Sequence, residues 1–320
     1  MQTIANQIYD CGIVPVVKLD RVEDAVPLAK ALIAGGMRCI EVTFRTACAE
    51  EAIRAIAKQV PDMLVGAGTV LTPEQAQRAV DAGAKFVVSP GLNETTVQYC
   101  VEHSIPIFPG CSSPSDVEKA LSFGLTYLKF FPAEACGGLK TIKAMCGPYT
   151  NVTFMPTGGI NEDNLSSYLA YDKILACGGS WMVKDSLIQA GRFDEITRLA
   201  NSAMMKMLDF SLAHVGVNCP DAMAAADGAS KLAALLGSEI KDGNSSIFVG
   251  SDVELMKTNY LGANGHIGIY TSSVQRAVAI LTAKGYEFNE QTYKYDARGK
   301  LKVAYLSGEI AGFAIHFVNR

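Results

Sequence analysis

An α/β fold is predicted by three features of the 320-residue chain: eight short β-branched runs, alanine-rich helical stretches between them, and a change of composition at Asp209-Phe210. Eight such units make a (β/α)8 TIM barrel over residues 1–208, and the changed pattern predicts a smaller α+β domain of two βαβββ-like repeats over 209–320. The strand runs are Ile13-Lys18, Cys39-Thr43, Leu64-Gly68, Phe86-Ser89, Ile105-Pro109, Thr126-Phe130, Val152-Pro156 and Lys173-Cys177. Helical spacing fills the gaps, clearest over Val22-Ala34 and Ala47-Lys58, and these helices would ring the strands. Thr72-Pro73-Glu74 and Ser113-Pro114-Ser115-Asp116 each set a hydroxyl cap before a proline at the first helical position. Asp194-Leu208 reads as the closing helix.

The second domain carries a diverged repeat. His214-Val-Gly-Val precedes an alanine-rich helix ending at Gly237, and His266-Ile-Gly-Ile, 52 residues on, precedes a helix ending at Gly285. The stretch from His to Gly is 23 residues in one copy and 19 in the other, a difference of about one helical turn. Strands Ser246-Val249 and Val253-Met256 end the first half, and Val303-Leu306 and Phe313-Val318 end the second, after a hairpin over Glu287-Lys302.

Composition narrows the function. Apolar residues are 49% and charged residues 19%, which suits a well-buried core. A net charge of -4 without long charged blocks points away from nucleic acid and anionic membrane surfaces and toward a small-molecule partner. Nine cysteines without CxxC spacing read as reduced, buried thiols and favour the cytoplasm. Neither a basic targeting region nor an apolar run near the ~20 residues of a membrane span is expected.

In a barrel of this kind the working face lies at the carboxyl ends of the strands. There the second run delivers Glu41 and then Arg45, the third Thr69, the sixth Lys129, the seventh Thr157-Gly158-Gly159 and the eighth Gly178-Gly179-Ser180. Lys129 ends an apolar run, and an amine so placed must find an anion or lose its charge; a neutral amine attacks ketones. Glu41 in the same cavity is the nearest general acid and base. Arg45 offers a fork for a carboxylate and Thr69 can donate to the same group, which suits an α-keto acid. The two glycine pairs bare backbone N–H groups beside expected helix starts, a phosphate cradle, and Ser180 adds a hydroxyl. Singly, each residue has a plainer use. A strand-end lysine is usually a rim charge, with Lys18 the internal comparison, Glu41 with Arg45 could be a local ion pair, and paired glycines commonly make turns. Their joint placement on matching strand ends is what points to chemistry.

Glu41-Val-Thr-Phe-Arg45, Val65-Gly-Ala-Gly-Thr69, Ser89-Pro90-Gly91, Lys129-Phe-Phe-Pro-Ala-Glu134, Pro156-Thr-Gly-Gly-Ile160 and Gly178-Gly-Ser-Trp181 together resemble the 2-keto-3-deoxy-6-phosphogluconate (KDPG) and 4-hydroxy-2-oxoglutarate (KHG) aldolase family over about residues 5–205. The resemblance implies a class I aldolase needing no cofactor, with Lys129 as Schiff-base lysine and Glu41 as acid/base. It places Arg45, Thr69 and Thr157 at the pyruvyl end, Gly158, Gly159, Gly179 and Ser180 around phosphate, and Pro90 and Phe131 among the substrate-binding residues. It also implies a homotrimer and cleavage of KDPG to pyruvate and glyceraldehyde 3-phosphate, with 4-hydroxy-2-oxoglutarate giving pyruvate and glyoxylate. A 2-keto-3-deoxy-6-phosphogalactonate aldolase and a ligand sensor with an inactive barrel are the alternatives; intact Lys129 and Glu41 argue against the sensor. Two departures are Cys111, in Pro109-Gly-Cys-Ser-Ser-Pro114, where Ile or Val is usual, and Cys136 before Gly137-Gly138, where Asn is common.

His214, Val253-Glu254-Leu, His266 and Ile315-His316-Phe resemble the vicinal-oxygen-chelate superfamily of glyoxalases and bleomycin-resistance proteins, over about residues 210–320. The resemblance implies ligands to a divalent metal at His214, Glu254, His266 and His316, with His316 replacing the usual Glu. Such a set suits Zn, Ni, Mn or Fe. Many members of that superfamily bind no metal, so a small-molecule pocket or an oligomerisation module is an equal expectation. His103, in a barrel helix, is expected to be incidental.

Overall fold

The computed structural model describes residues 2–320, and the chain divides into two compact units, Met1–Met207 and Leu208–Arg320. In the first, α1 (Gln2–Cys11) leads to β1 (Ile13–Val17), α2 (Ala25–Ala34), β2 (Cys39–Thr43), α3 (Ala49–Gln59), β3 (Leu64–Gly68) and α4 (Pro73–Asp81). There follow β4 (Phe86–Val88), α5 (Glu94–Glu102), β5 (Ile107–Phe108), α6 (Pro114–Ser122), β6 (Tyr127–Phe130) and α7 (Gly138–Met145). The unit closes with β7 (Thr153–Pro156), α8 (Leu165–Leu169), β8 (Cys177–Gly179), α9 (Asp185–Gln189) and α10 (Phe193–Leu208).

One sheet runs β5-β4-β3-β2-β1-β8 and a second joins β6 to β7, with every pairing parallel. The unit's first and last strands, β1 and β8, are neighbours in one parallel sheet, and the architecture is of the TIM-barrel-like class. Isolated parallel bridges, Gly110 with Lys129 and Thr157 with Gly178, lie between β5 and β6 and between β7 and β8. The strands are apolar because both of their faces are covered: all five residues of β2 are buried, and Phe86, Val88, Phe108 and Met155 share one cluster with Ala5 and Ile8 of α1. Burying each such side chain contributes about 1.5–3 kcal/mol.

Several elements differ from the sequence expectation. The eighth strand begins at Cys177, where pairing to β1 starts, and not at Lys173; Ile174 makes only an isolated bridge to Phe154. Gly178 and Gly179 therefore lie within the strand and not after it. The stretch Val22-Ala34 is split into a 3-10 turn at Val22–Asp24 and α2, which leaves Pro27 in the first helical turn, where it costs no hydrogen bond. Nor do the glycine pairs abut helix starts. α8 opens at Leu165, past a loop, and is only five residues long, so a helix dipole does not serve the Gly158-Gly159 loop.

In the second unit come β9 (Ser211–Asn218), α11 (Ala222–Leu236), β10 (Ile240–Asp242), β11 (Ser246–Val249), β12 (Val253–Met256), β13 (Gly265–Thr271), α12 (Val274–Ala283), β14 (Phe288–Tyr295), β15 (Leu301–Ile310) and β16 (Phe313–Asn319). They form one sheet in the order β10-β11-β12-β9-β13-β16-β15-β14. The first strands of the two copies, β9 and β13, pair antiparallel at the centre, and each pairs parallel with the last strand of its own copy, β12 or β16. Each copy is thus β-α-β-β-β, related to the other by a pseudo-two-fold at that seam. α11 covers its copy through Ala225, Ala229, Ile247, Val249 and Leu255. Among the described residues no helix is long and apolar enough to cross a membrane.

Both expected caps are in place: Thr72 Oγ1 accepts from Gln75 N at 3.3 Å, and Ser113 forms a capping box with Asp116. Ser113→Ala should cost about 1 kcal/mol of barrel stability, read by chemical denaturation, because it orphans the Asp116 N–H in the first turn of α6.

Candidate active site

β6 sets Lys129 by its backbone: the N–H donates to Pro109 O at 2.9 Å, and the carbonyl accepts from Cys111 N at 2.8 Å. β2 sets Glu41 between Val16 of β1 and Gly66 of β3. The two side chains meet inside the ring, with Lys129 Nζ 3.4 Å from Glu41 Oε1 and exposures of only 5% and 1%. Among the described residues, neither Glu41 Oε2 nor Thr157 Oγ1, both buried, has a hydrogen-bond partner. The Phe131 ring lies 5.3 Å from Lys129 Nζ, across the mouth, and is partly exposed.

Space for this cluster comes from glycines. A Cβ at Gly68 would lie 2.0 Å from Glu41 Oε1, and one at Gly178 would lie 2.3 Å from Thr157 Oγ1. The sequence expectation placed Gly178 in a phosphate cradle and gave Gly68 no role of its own. The signal was available, since Val65-Gly-Ala-Gly alternates glycine along a strand, the mark of a close approach.

The other expected residues stand around the rim. Arg45 is exposed and donates through Nε to Thr43 Oγ1 at 3.0 Å, while Thr43 donates to Val17 O; the alternative local ion pair with Glu41 does not form among the described residues. Thr69 is half-buried and held at φ 55°, a left-handed conformation rare for a β-branched residue and found where function holds the backbone. Pro90 presents its carbonyl to Gly110, where any Cβ would lie 2.0 Å away. Gly179 is buried in β8 and Ser180 is exposed just beyond it. Among the described residues, neither the Gly158 nor the Gly159 N–H donates to another protein group.

Lys18 provides the contrast. It pairs with Asp20 at 3.1 Å and with Asp185 at 3.5 Å, and the Asp20 hydrogen bond raises its pKa, so it remains a charged rim lysine. His103 stacks on Tyr99 and is exposed.

The second unit gathers three of the chain's four histidines. His214 and His266 meet at 3.1 Å between their Nε2 atoms, Glu254 Oε2 lies 3.0 Å from His266 Nε2 and 3.5 Å from His214 Nε2, and one ring nitrogen each of His214, His266 and His316 falls within a 4.8 Å cluster. The seam builds this cluster: His214 is registered with Gly268 and His266 with Gly216, so each ring lies over the opposite strand's glycine. A Cβ at Gly216 would be 2.0 Å from His266 Cε1, and one at Gly268 would be 2.6 Å from His214 Cε1 and 3.0 Å from His316 Nε2. Burial lowers the pKa of His214, and burial with the neighbouring histidines pushes His316 down to about 3. Burial alone would raise Glu254, but hydrogen bonds from His266 and Ser246 outweigh it and leave its pKa below the usual value. Neutral imidazoles with an ionised carboxylate are the protonation states that bind a cation.

Comparisons with known proteins bear on the first unit. The family described as KDPG and KHG aldolase matches residues 4–199. A 2-dehydro-3-deoxy-phosphogluconate aldolase of Treponema pallidum (strain Nichols) is 54% identical over 204 residues, covering 64% of the chain and 97% of the relative. A KHG/KDPG aldolase of Escherichia coli (strain K12) is 49% identical over 204 residues, covering 63% and 96%. Among solved structures, KDPG aldolase from Legionella pneumophila, with pyruvate captured at low pH as a covalent carbinolamine intermediate, is similar with a TM-score of 0.61 and 39% identity, covering 63% of the chain and 99% of that structure.

Proposed function

Since the chain belongs to the KDPG and KHG aldolase family, we infer that it is a class I aldolase cleaving 2-keto-3-deoxy-6-phosphogluconate to pyruvate and glyceraldehyde 3-phosphate, with 4-hydroxy-2-oxoglutarate as a second substrate. The carrying observation is the buried contact of Lys129 Nζ with Glu41 Oε1. We read the eight strands as one closed (β/α)8 barrel, completed by the two isolated bridges.

Lys129 passes a proton to Glu41, and its free amine adds to the C2 ketone to give a carbinolamine. Glu41 returns a proton to the C2 hydroxyl, which leaves as water, and an iminium forms. Glu41, again a carboxylate, then takes the proton of the C4 hydroxyl as the C3–C4 bond breaks. The bond's electron pair moves into the iminium, giving an enamine and releasing glyceraldehyde 3-phosphate. Protonation at C3 and addition of water at C2 return pyruvate and the free amine. Arg45 and Thr69 hold the carboxylate end, with Pro90, Phe131 and Thr157 walling the pyruvyl portion. Gly158, Gly159, Gly179 and Ser180 bind phosphate through backbone N–H groups and a hydroxyl.

The second unit supports a separate reading: His214, Glu254, His266 and His316 hold one divalent metal. Three imidazole nitrogens within 4.8 Å of one another, with the Glu254 carboxylate beside two of them, are a donor set that fits such an ion, which when bound would supply Lewis acidity.

Lys129→Met should abolish cleavage, and Glu41→Gln should lower kcat by about 10²–10⁴-fold. Gly68→Ala, which drives a methyl into the Glu41 carboxylate, should also lower kcat in a chain whose circular dichroism is unchanged. Near-normal turnover in any of the three would contradict the assignment. Calorimetric titration of chelator-treated protein with Zn, Ni or Mn should show one site per chain that His266→Ala removes, and chelation should leave cleavage intact. Absence of saturable binding would refute the metal centre.

A further inference from the structure

A buried phenol ties together the two loops at the phosphate end. Tyr168, in α8, is 2% exposed, and its hydroxyl donates to Glu134 Oε1. Burial, and then the bond to Glu134, raises the Tyr168 pKa, so the phenol stays a proton donor at neutral pH. Glu134 is itself exposed, in the segment between β6 and α7. There the Ala133 N–H donates to Thr157 O at 2.8 Å and the Glu134 N–H to Gly158 O at 3.1 Å.

The Glu134 stem lies against Gly159. A Cβ at Gly159 would be 2.6 Å from Glu134 Cγ and 2.7 Å from its Cβ. Asn164 Nδ2 reaches the same residue, donating to Gly159 O at 3.0 Å. Gly138, at the start of α7, is enclosed by the same pair, since its Cβ would lie 2.8 Å from Tyr168 Oη and 2.9 Å from Glu134 Oε1. Backbone bonds, a packed stem and an amide thus hold the Gly158-Gly159 peptides, whose N–H groups are not taken by protein acceptors among the described residues. Electrostatics makes the pair more than packing. A carboxylate beside a phosphate site repels the dianion, and a hydrogen bond from Tyr168 anchors that charge to α8 and disperses it.

We propose that Tyr168 is a positioning residue for the substrate phosphate: by holding the Glu134 carboxylate it fixes the Gly158-Gly159 peptides and keeps the acid from competing with the phosphate. This rests on Gly158 and Gly159 being the phosphate cradle.

Tyr168→Phe, Glu134→Ala and the double variant Tyr168→Phe/Glu134→Gln, with wild type, should be assayed on KDPG and on 2-keto-3-deoxygluconate, the same carbon chain without phosphate. Tyr168→Phe should raise KM for KDPG roughly tenfold, with kcat within about twofold and no rise of KM for the unphosphorylated substrate. Adding Glu134→Gln should recover part of that loss, because the freed charge is gone. Glu134→Ala, which removes the stem packed on Gly159, should show the same selective rise in a chain whose circular dichroism is unchanged. Equal losses on both substrates, a loss confined to kcat, no rescue, or unchanged kinetics would overturn the role of Tyr168. A wild type that does not distinguish the two substrates would instead refute the cradle, and the inference with it.

Discussion

Everything in the first unit turns on keeping an amine and a carboxylate together out of water. Lys129 and Glu41 are buried at 3.4 Å, among strands made otherwise mostly of apolar residues and glycine. Taking two ions from water costs several kcal/mol each, and their attraction returns only part of it. A pair of apolar side chains would serve stability as well or better. The proposed mechanism gives the pair its reason: a proton moves between the two groups while the keto carbon approaches the nitrogen. The stability that tolerates it comes from neighbours such as Leu128, Phe130, Phe154 and Val88, all fully buried.

Glycine makes room for polar clusters in both units. Gly68 and Gly178 admit Glu41 and Thr157 into the strand ring, while Gly216 and Gly268 admit the rings of His266 and His214 at the seam of the second sheet. In each case a strand gives up side-chain packing so that a polar group of a neighbouring strand can lie over its backbone. Because the second sheet repeats itself, its pairing brings His214 and His266 together from equivalent positions, 52 residues apart in sequence.

What was legible in the sequence follows from what burial imposes. Lys129 and Glu41 stood out because a charge in a fully buried strand is rare, and the parallel strands because both of their faces must be apolar. The His-x-Gly-x repeat was readable because the two halves perform the same geometric task. Less was visible where tertiary contacts decide. β10, Ile-Lys-Asp, is wholly exposed, and β14 mixes polar and aromatic residues, so neither shows a clean alternation. The start of β8 depends on where β1 offers backbone groups, which no local pattern records. Tyr168 and Glu134 are 34 residues apart in loop and short helix, and neither carries periodicity that marks a partner. Arg45 and Ser180 were legible only by their place at matching strand ends, since both are otherwise simply exposed polar residues.

The most direct test of the central claim is reduction with borohydride in the presence of pyruvate, followed by peptide mass mapping. A single reduced pyruvyl adduct on Lys129, absent without pyruvate, is the expected result. An adduct on Lys18 or any other lysine, or none at all in an active preparation, would contradict the account.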